Sequence, residues 1–167
     1  MTTFTTLLTY DRLNLGCSDV QVPGFLNVDA WTPPWATDEN FMRVNLAAGS
    51  HWPWPDSSIS FILAHDIIEH LEHKIYTMNE IHRILRPGGK VEIIVPTTEG
   101  RGAWQDPTHV SYWNRNSFLY WTEGDPHYER FKAAYGMRGC FRVIHEEHQV
   151  FQTDQVVKLK IILEASK

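Results

Sequence analysis

Two short stretches near the start of the chain have the residue types and spacing of a nucleoside-binding cradle. Arg12-Leu-Asn-Leu-Gly-Cys-Ser-Asp-Val20 carries an apolar run into Gly16, and Leu26-Asn-Val-Asp29 carries a second run into an acid. A glycine at the end of a buried strand lets the backbone turn and pass close to a ligand. An acid at the carboxyl end of the next strand accepts hydrogen bonds from both hydroxyls of a ribose. Together they point to adenosine recognition.

Two further segments hold acid–base residues. The first is His65-Asp66-Ile-Ile-Glu69-His70-Leu-Glu72-His73. Were a helix to run from Asp66, then Asp66, His70 and His73 would share one face at i, i+4 and i+7, a set able to ligate iron or zinc. The His-Glu-x-x-His spacing of zinc proteases is absent, and Asp66 and Glu69 serve equally well to complement a helix N-terminus. The second segment is Gly100 to Asn116, which contains Trp104, Asp106, His109, Tyr112, Trp113 and Arg115. An imidazole titrates near neutral pH, so His109 is the candidate general base or ligand, with Asp106 to orient it. The bland alternative is that Asp106-Pro107 starts a turn. Tyr112, Trp113 and Arg115 are candidates to line a pocket, the arginine suiting a carboxylate or phosphate, and packing is the alternative for each. By contrast, His145-Glu-Glu-His148 lies in a strand pattern whose alternation separates its members.

The elements that must position these residues follow from periodicity. Leu13 and Leu15 mark a first strand, Leu26 to Asp29 a second, Phe41 to Leu46 a short third and Ile59 to Ala64 a central fourth. Leu71, Ile75, Met78, Ile81 and Leu85 recur at steps of three and four, which predicts a helix from Glu69 to Leu85 stopped by Pro87-Gly88-Gly89. Val91 to Val95 follows as the fifth strand, a helix is predicted from about Asn116, and Phe141 to Phe151 and Gln155 to Leu163 read as two more strands. Asp19 to Phe25 is too short and turn-rich for a crossover helix, and Ala30 to Asn40 is a Pro-rich loop. Trp31, Trp35, Trp52 and Trp54 sit among prolines. They are expected to cover sheet faces left bare by shortened crossovers or, less simply, to wall a pocket.

Asn14-Leu-Gly-Cys-Ser-Asp19 resembles the first motif of the class I S-adenosylmethionine-dependent methyltransferases, of the type 11 kind. Asn27-Val-Asp29, Trp54 to Ile62 and Leu85-Arg-Pro-Gly-Gly-Lys90 resemble later motifs of the same family. Ser18 stands where the family has its second glycine and Asn14 where it has an acid. The resemblance implies an α/β Rossmann-like doubly wound sheet, mostly parallel, with an antiparallel C-terminal edge hairpin. It would be a minimal version, since Met1 to Asp11 is too short for the usual N-terminal helices.

The same resemblance implies S-adenosylmethionine as cofactor and S-adenosylhomocysteine as product, held by Asn14, Gly16, Cys17, Ser18, Asp29, Ala30, Asn45 and Leu46. His65 and Asp66 would lie near the methyl group. His109, Asp106 and His65 would be the catalytic candidates, and Trp104, Tyr112, Trp113 and Arg115 would meet a small-molecule or glycan-like acceptor. In-line methyl transfer relies on positioning, with a base needed only for some acceptors. A cofactor-binding partner domain without turnover, and a metal-dependent enzyme using Asp66, His70 and His73, are the competing readings.

Composition sets the remaining bounds. The 167 residues suit one domain over residues 1–167. With 43% hydrophobic and 21% charged residues and a net charge of −5, the chain is globular in type and disfavours nucleic acid as a partner. Cys17 and Cys140 make no disulfide framework, so a reducing, cytoplasmic setting is expected. No run is long enough to span a membrane. Without N-terminal helices the site is expected either to stay open or to be covered by later loops or by a partner subunit, a homodimer being one such arrangement.

Overall fold

A computed structural model describes residues 10–47, 49, 51–151 and 155–167. The strands are β1 (Arg12–Leu15), β2 (Leu26–Asp29), β3 (Phe41–Arg43), β4 (Ile59–His65), β5 (Leu85–Pro96), β6 (Cys140–Phe151) and β7 (Val156–Ser166). They form one sheet in the order β3-β2-β1-β4-β5-β7-β6. The first five pair in parallel, while β7 runs antiparallel to both β5 and β6. The doubly wound sheet with its antiparallel edge hairpin is therefore as expected. The described helices are α1 (Lys74–Ile84), α2 (Gly102–Gln105), α3 (Arg115–Leu119) and α4 (Pro126–Tyr135). None of them is long and apolar enough to cross a membrane. Most of Met1 to Asp11, the stretch held too short for N-terminal helices, lies outside the described residues.

No helix connects β1 to β2 or β2 to β3. What shapes these connections instead is Asn27, a fully buried side chain in the middle of β2. Its Oδ1 accepts from Asn14 Nδ2 of β1 and from the Val22 amide, both at 2.9 Å. Its Nδ2 faces the carbonyls of Phe25 and Asn40 at 3.2 Å and of Val22 at 3.4 Å. One amide thus supplies partners that helix backbone would otherwise supply to itself, as buried polar groups require.

Tryptophans cover the sheet where helices do not. Trp52 and Trp54 are buried edge-to-face, with ring centroids 6.4 Å apart. Arg83 of α1 donates to their carbonyls at 3.0 and 2.8 Å, and Glu80 accepts from the Trp52 amide at 2.8 Å. Arg83 and Glu80 are themselves paired at 2.7 Å. Trp113 and Trp121 are also buried, stacked or tilted against Phe118 and each other.

Several boundaries differ from the periodic reading. The helix expected from Glu69 is two elements: a 3-10 turn, Ile68–His70, and then α1 from Lys74. Leu71 is extended between them (ψ 117°), and Asp66 enters from a left-handed φ of 50°. The Glu69 carbonyl, which a continuous helix would need, accepts instead from the Val110 and Ser111 amides at 3.0 and 2.9 Å. Asp66, His70 and His73 consequently share no helix face.

The third strand stops at Arg43, where the Val44 amide turns to the Asp29 carbonyl. The Pro87-Gly88-Gly89 turn survives as an irregularity within β5, whose pairing with β4 jumps from Ile59–Leu85 to Phe61–Lys90. Helix α4, not predicted from the sequence, has no fully buried residue and meets the core through the half-buried Tyr128.

Truncation of the Asn27 side chain leaves several buried groups unpaired, at about 1–3 kcal/mol each before relaxation. Asn27→Ala is expected to lower stability by about 3 kcal/mol, or roughly 6–12 °C in thermal unfolding. A shift below about 2 °C would show that water or relaxation replaces the network.

Candidate functional site

Gly16 ends β1 with a φ of 65°, and a Cβ there would stand 2.6 Å from Ile67 Cγ1. Only glycine satisfies both the left-handed turn and that contact. Ser18 has a φ of 47°, in the same region, and its amide donates to Asp29 Oδ2 at 2.9 Å. Asp29 Oδ1 accepts from the Trp31 amide, also at 2.9 Å. Two backbone donors therefore fix the carboxylate while each oxygen keeps a lone pair. Beside it lies a cavity of about 160 Å³ bordered by Gly16, Ala30, Asn45, Leu46, Ile67 and His70. Asn45 Oδ1 accepts from the Ala47 amide at 3.0 Å, and the Leu46 carbonyl accepts from Trp52 Nε1 at 3.3 Å. This wall is thus tied to the tryptophan cover.

A second cavity, of about 420 Å³, is lined by Asp66, Glu69, His70, Gln105, Asp106 and His109. His70 borders both cavities. The tautomers of the two histidines follow from their partners. His109 Nδ1 lies 3.1 Å from the Ala103 carbonyl, which can only accept, so Nδ1 carries the proton and Nε2 the lone pair. His70 Nδ1 faces the Thr108 carbonyl at 3.3 Å and Thr108 Oγ1 at 3.1 Å. That hydroxyl donates to Asp106 Oδ1 at 2.6 Å, which again leaves the proton on Nδ1 and the lone pair on Nε2.

His109 Nε2 is 3.9 Å from Glu69 Oε1 and 4.0 Å from Asp106 Oδ2, too far for a hydrogen bond to either. Glu69 is 2% exposed, and its Oε2 has no hydrogen-bond partner among the described residues. Burial, helped by the charge of Asp66, pushes its carboxyl up to about 8. Asp66 is paired with Lys158 of β7 at 2.6 Å.

Residues 27–93 match the family model described as the methyltransferase domain. No curated protein matches the chain in sequence. Among solved structures, a Burkholderia thailandensis 1,6-didemethyltoxoflavin-N1-methyltransferase with bound 1,6-didemethyltoxoflavin and S-adenosylhomocysteine superposes with a TM-score of 0.62. It is 14% identical over 93% of this chain and 71% of that one. A putative methyltransferase of Haloferax volcanii, in complex with the Trm112 methyltransferase activator, gives 0.62 at 14% identity over 99% and 90%. The [4+2]-cyclase SpnF gives 0.60 at 12% identity over 93% and 74%.

The fold is that of the class I methyltransferases. Within this methyltransferase fold, Gly16, Asp29, Ala30, Asn45 and Leu46 gather at the smaller cavity, while Asp66, Asp106 and His109 gather at the larger. Asn14 is spent on Asn27 and the Val20 carbonyl. His65 borders neither cavity and lies 2.9 Å from Glu92. Trp113 is fully buried, and Arg115 is bound by Glu146 at 2.7 Å. Trp104 and Tyr112 stack on one another at 4.4 Å on the exposed rim of the loop. His73 borders a separate depression with Glu80 and Arg83, away from His70. Thr108 and Lys158 are not marked by sequence, and Glu69 is read there only as an acid of the segment after β4, able to complement a helix N-terminus. The one available signal was an acid standing between Ile67-Ile68 and Leu71.

Cys17 is 3% exposed, and burial together with the Asp29 charge raises its thiol to about 11. Thiolate is the reactive form. Iodoacetamide at pH 8 is expected to label the half-buried Cys140 well before Cys17. Peptide mass spectrometry reads this, and prompt labelling of Cys17 would contradict the closed cradle.

Proposed function

We propose that the domain binds S-adenosylmethionine in the smaller cavity and transfers its methyl group to a small-molecule or glycan-like acceptor in the larger one. The observation that carries the reading is that the two cavities meet at His70, so a cofactor and an acceptor would face each other across a single side chain. The fold supports the cofactor, and so do the positions of Gly16 and Asp29. Asp29, with its orientation fixed by the Ser18 and Trp31 amides, would take the ribose hydroxyls. Leu46 and Asn45 would flank the adenine. Gly16 would admit the amino acid portion, with Cys17 and Ser18 continuing that turn.

An acceptor in the larger cavity would meet Asp66 and His109, with Asp106 beside the imidazole. The Nε2 lone pair of His109 is the proton acceptor available there, since its Nδ1 proton is committed to Ala103. A base so placed typically contributes 10²–10⁴-fold. Trp104 and Tyr112, stacked at the rim, would extend the acceptor surface.

A second reading, a cofactor-binding partner domain without turnover, is favoured by the half-exposed Trp31 beside the cradle, where no helix covers it. Another chain or a second copy would fit there.

Calorimetric titration with S-adenosylhomocysteine is expected to give micromolar binding, weakened at least about tenfold in Asp29→Ala, equivalent to about 1.4 kcal/mol. His109→Ala is expected to keep that affinity and, once an acceptor is in hand, to lose about 10²-fold in turnover. Absence of binding by the unaltered protein, or an unchanged affinity in Asp29→Ala, would sink the cofactor assignment.

A further inference from the structure

The structure points to a second use of the larger cavity: we infer that Glu69, His70 and His109 form a binding site for one first-row divalent metal ion of the zinc or iron(II) type. The three side chains offer a carboxylate oxygen and two ring nitrogens that lie within 4.8 Å of one another. Ligands bound about 2.1 Å from such an ion stand roughly 3–3.5 Å apart, so rotamer movements of about an ångström close the shell.

Three features separate this cluster from a chance gathering. Each imidazole has its Nδ1 proton engaged by the protein, His109 with Ala103 and His70 with Thr108, which leaves the Nε2 lone pair of each free to bind an ion. This second-sphere arrangement is the one that orients metal-bound histidines. The acid between them is 2% exposed, and its Oε2 has no donor of any kind among the described residues. A buried carboxylate oxygen without a partner is costly, and a cation satisfies it where no side chain does. Finally, the cavity leaves open positions on one side, bordered by Gln105 and Asp106, and two histidines with one carboxylate and open positions is a recurrent transition-metal set.

The 3-10 turn builds the site. It puts Glu69 and His70 side by side, and the Glu69 carbonyl holds the 97–121 loop through the Val110 and Ser111 amides, which delivers His109. Asp66, paired with Lys158, and His73, in another depression, take no part. In the loaded protein the Nε2 lone pair of His109 belongs to the ion, and an acceptor hydroxyl would be activated by the ion's charge instead of by the free imidazole. That consequence rests on the methyltransferase reading; the ion site does not.

The test uses the full chain after chelator treatment and dialysis. Titration with Co²⁺, followed by its visible d–d absorption, and displacement by Zn²⁺ should show about one equivalent bound per chain. Glu69→Gln, which keeps the shape, and His70→Ala, which alters a partly exposed side chain, should each weaken binding by at least about tenfold, as should His109→Ala. Circular dichroism confirms that each variant is folded. Absence of a saturable single-equivalent signal, or retention of it in folded Glu69→Gln and His70→Ala proteins, would overturn the site. S-adenosylhomocysteine titration of the metal-free protein separates the outcomes, because it tests the cofactor cavity alone.

Discussion

The buried amide of Asn27 is the constraint on which the ligand-binding edge of the sheet depends. Parallel strands are ordinarily joined by about a dozen residues or more, usually a helix. Here residues 16–25 and 30–40 must make the same crossings without one. A crossover lacking a helix leaves backbone donors and acceptors over the sheet with nothing to satisfy them. Asn27 meets four of them at once and also grips Asn14 on the neighbouring strand. Gly16, Ser18 and Asp29, the cradle itself, hang on the ends of the two strands so joined.

The opposite wall of the cradle is set from further away. Glu80 and Arg83 hold Trp52, Trp52 Nε1 holds the Leu46 carbonyl, and Leu46 borders the smaller cavity. Around the larger cavity, the 3-10 turn after β4 and the loop after β5 are bonded to each other through the Glu69 carbonyl and through Ser111 Oγ, which reaches the Ile68 carbonyl at 2.9 Å. Neither segment has its shape alone, which is why the histidines they carry meet in space although they are distant in sequence.

The parts of this arrangement that were legible in the sequence are those encoded locally. Strands β1, β2 and β4 announce themselves as short apolar runs, α1 by its spacing of three and four, and Asp29 by closing the second run. The resemblance to methyltransferase motifs then ordered these pieces into a sheet. The rest was written in long-range contacts. Leu71 and Ile75 keep helical spacing across a break that only the Val110 and Ser111 amides explain. Glu69 looks like a helix-terminal acid until the loop folds over it. Asn27 passes for a family motif letter, while its work is structural, and α4 has only the short aromatic spacing of Tyr128, Phe131 and Tyr135 to announce it.

The helix-free crossovers also bear on how the chain reaches this state. The entropy of closing a loop rises with its length, and pairings between distant residues form late for that reason. β1, β2 and β3 are joined by short connections and can pair through small closures, whereas β5 must find β7, with Lys90 set against Glu164. The cradle edge then has less closure entropy to overcome than the pairing of β5 with β7. The central pairing that fixes Lys158 beside Asp66, and so completes the second cavity, waits on the C-terminal hairpin.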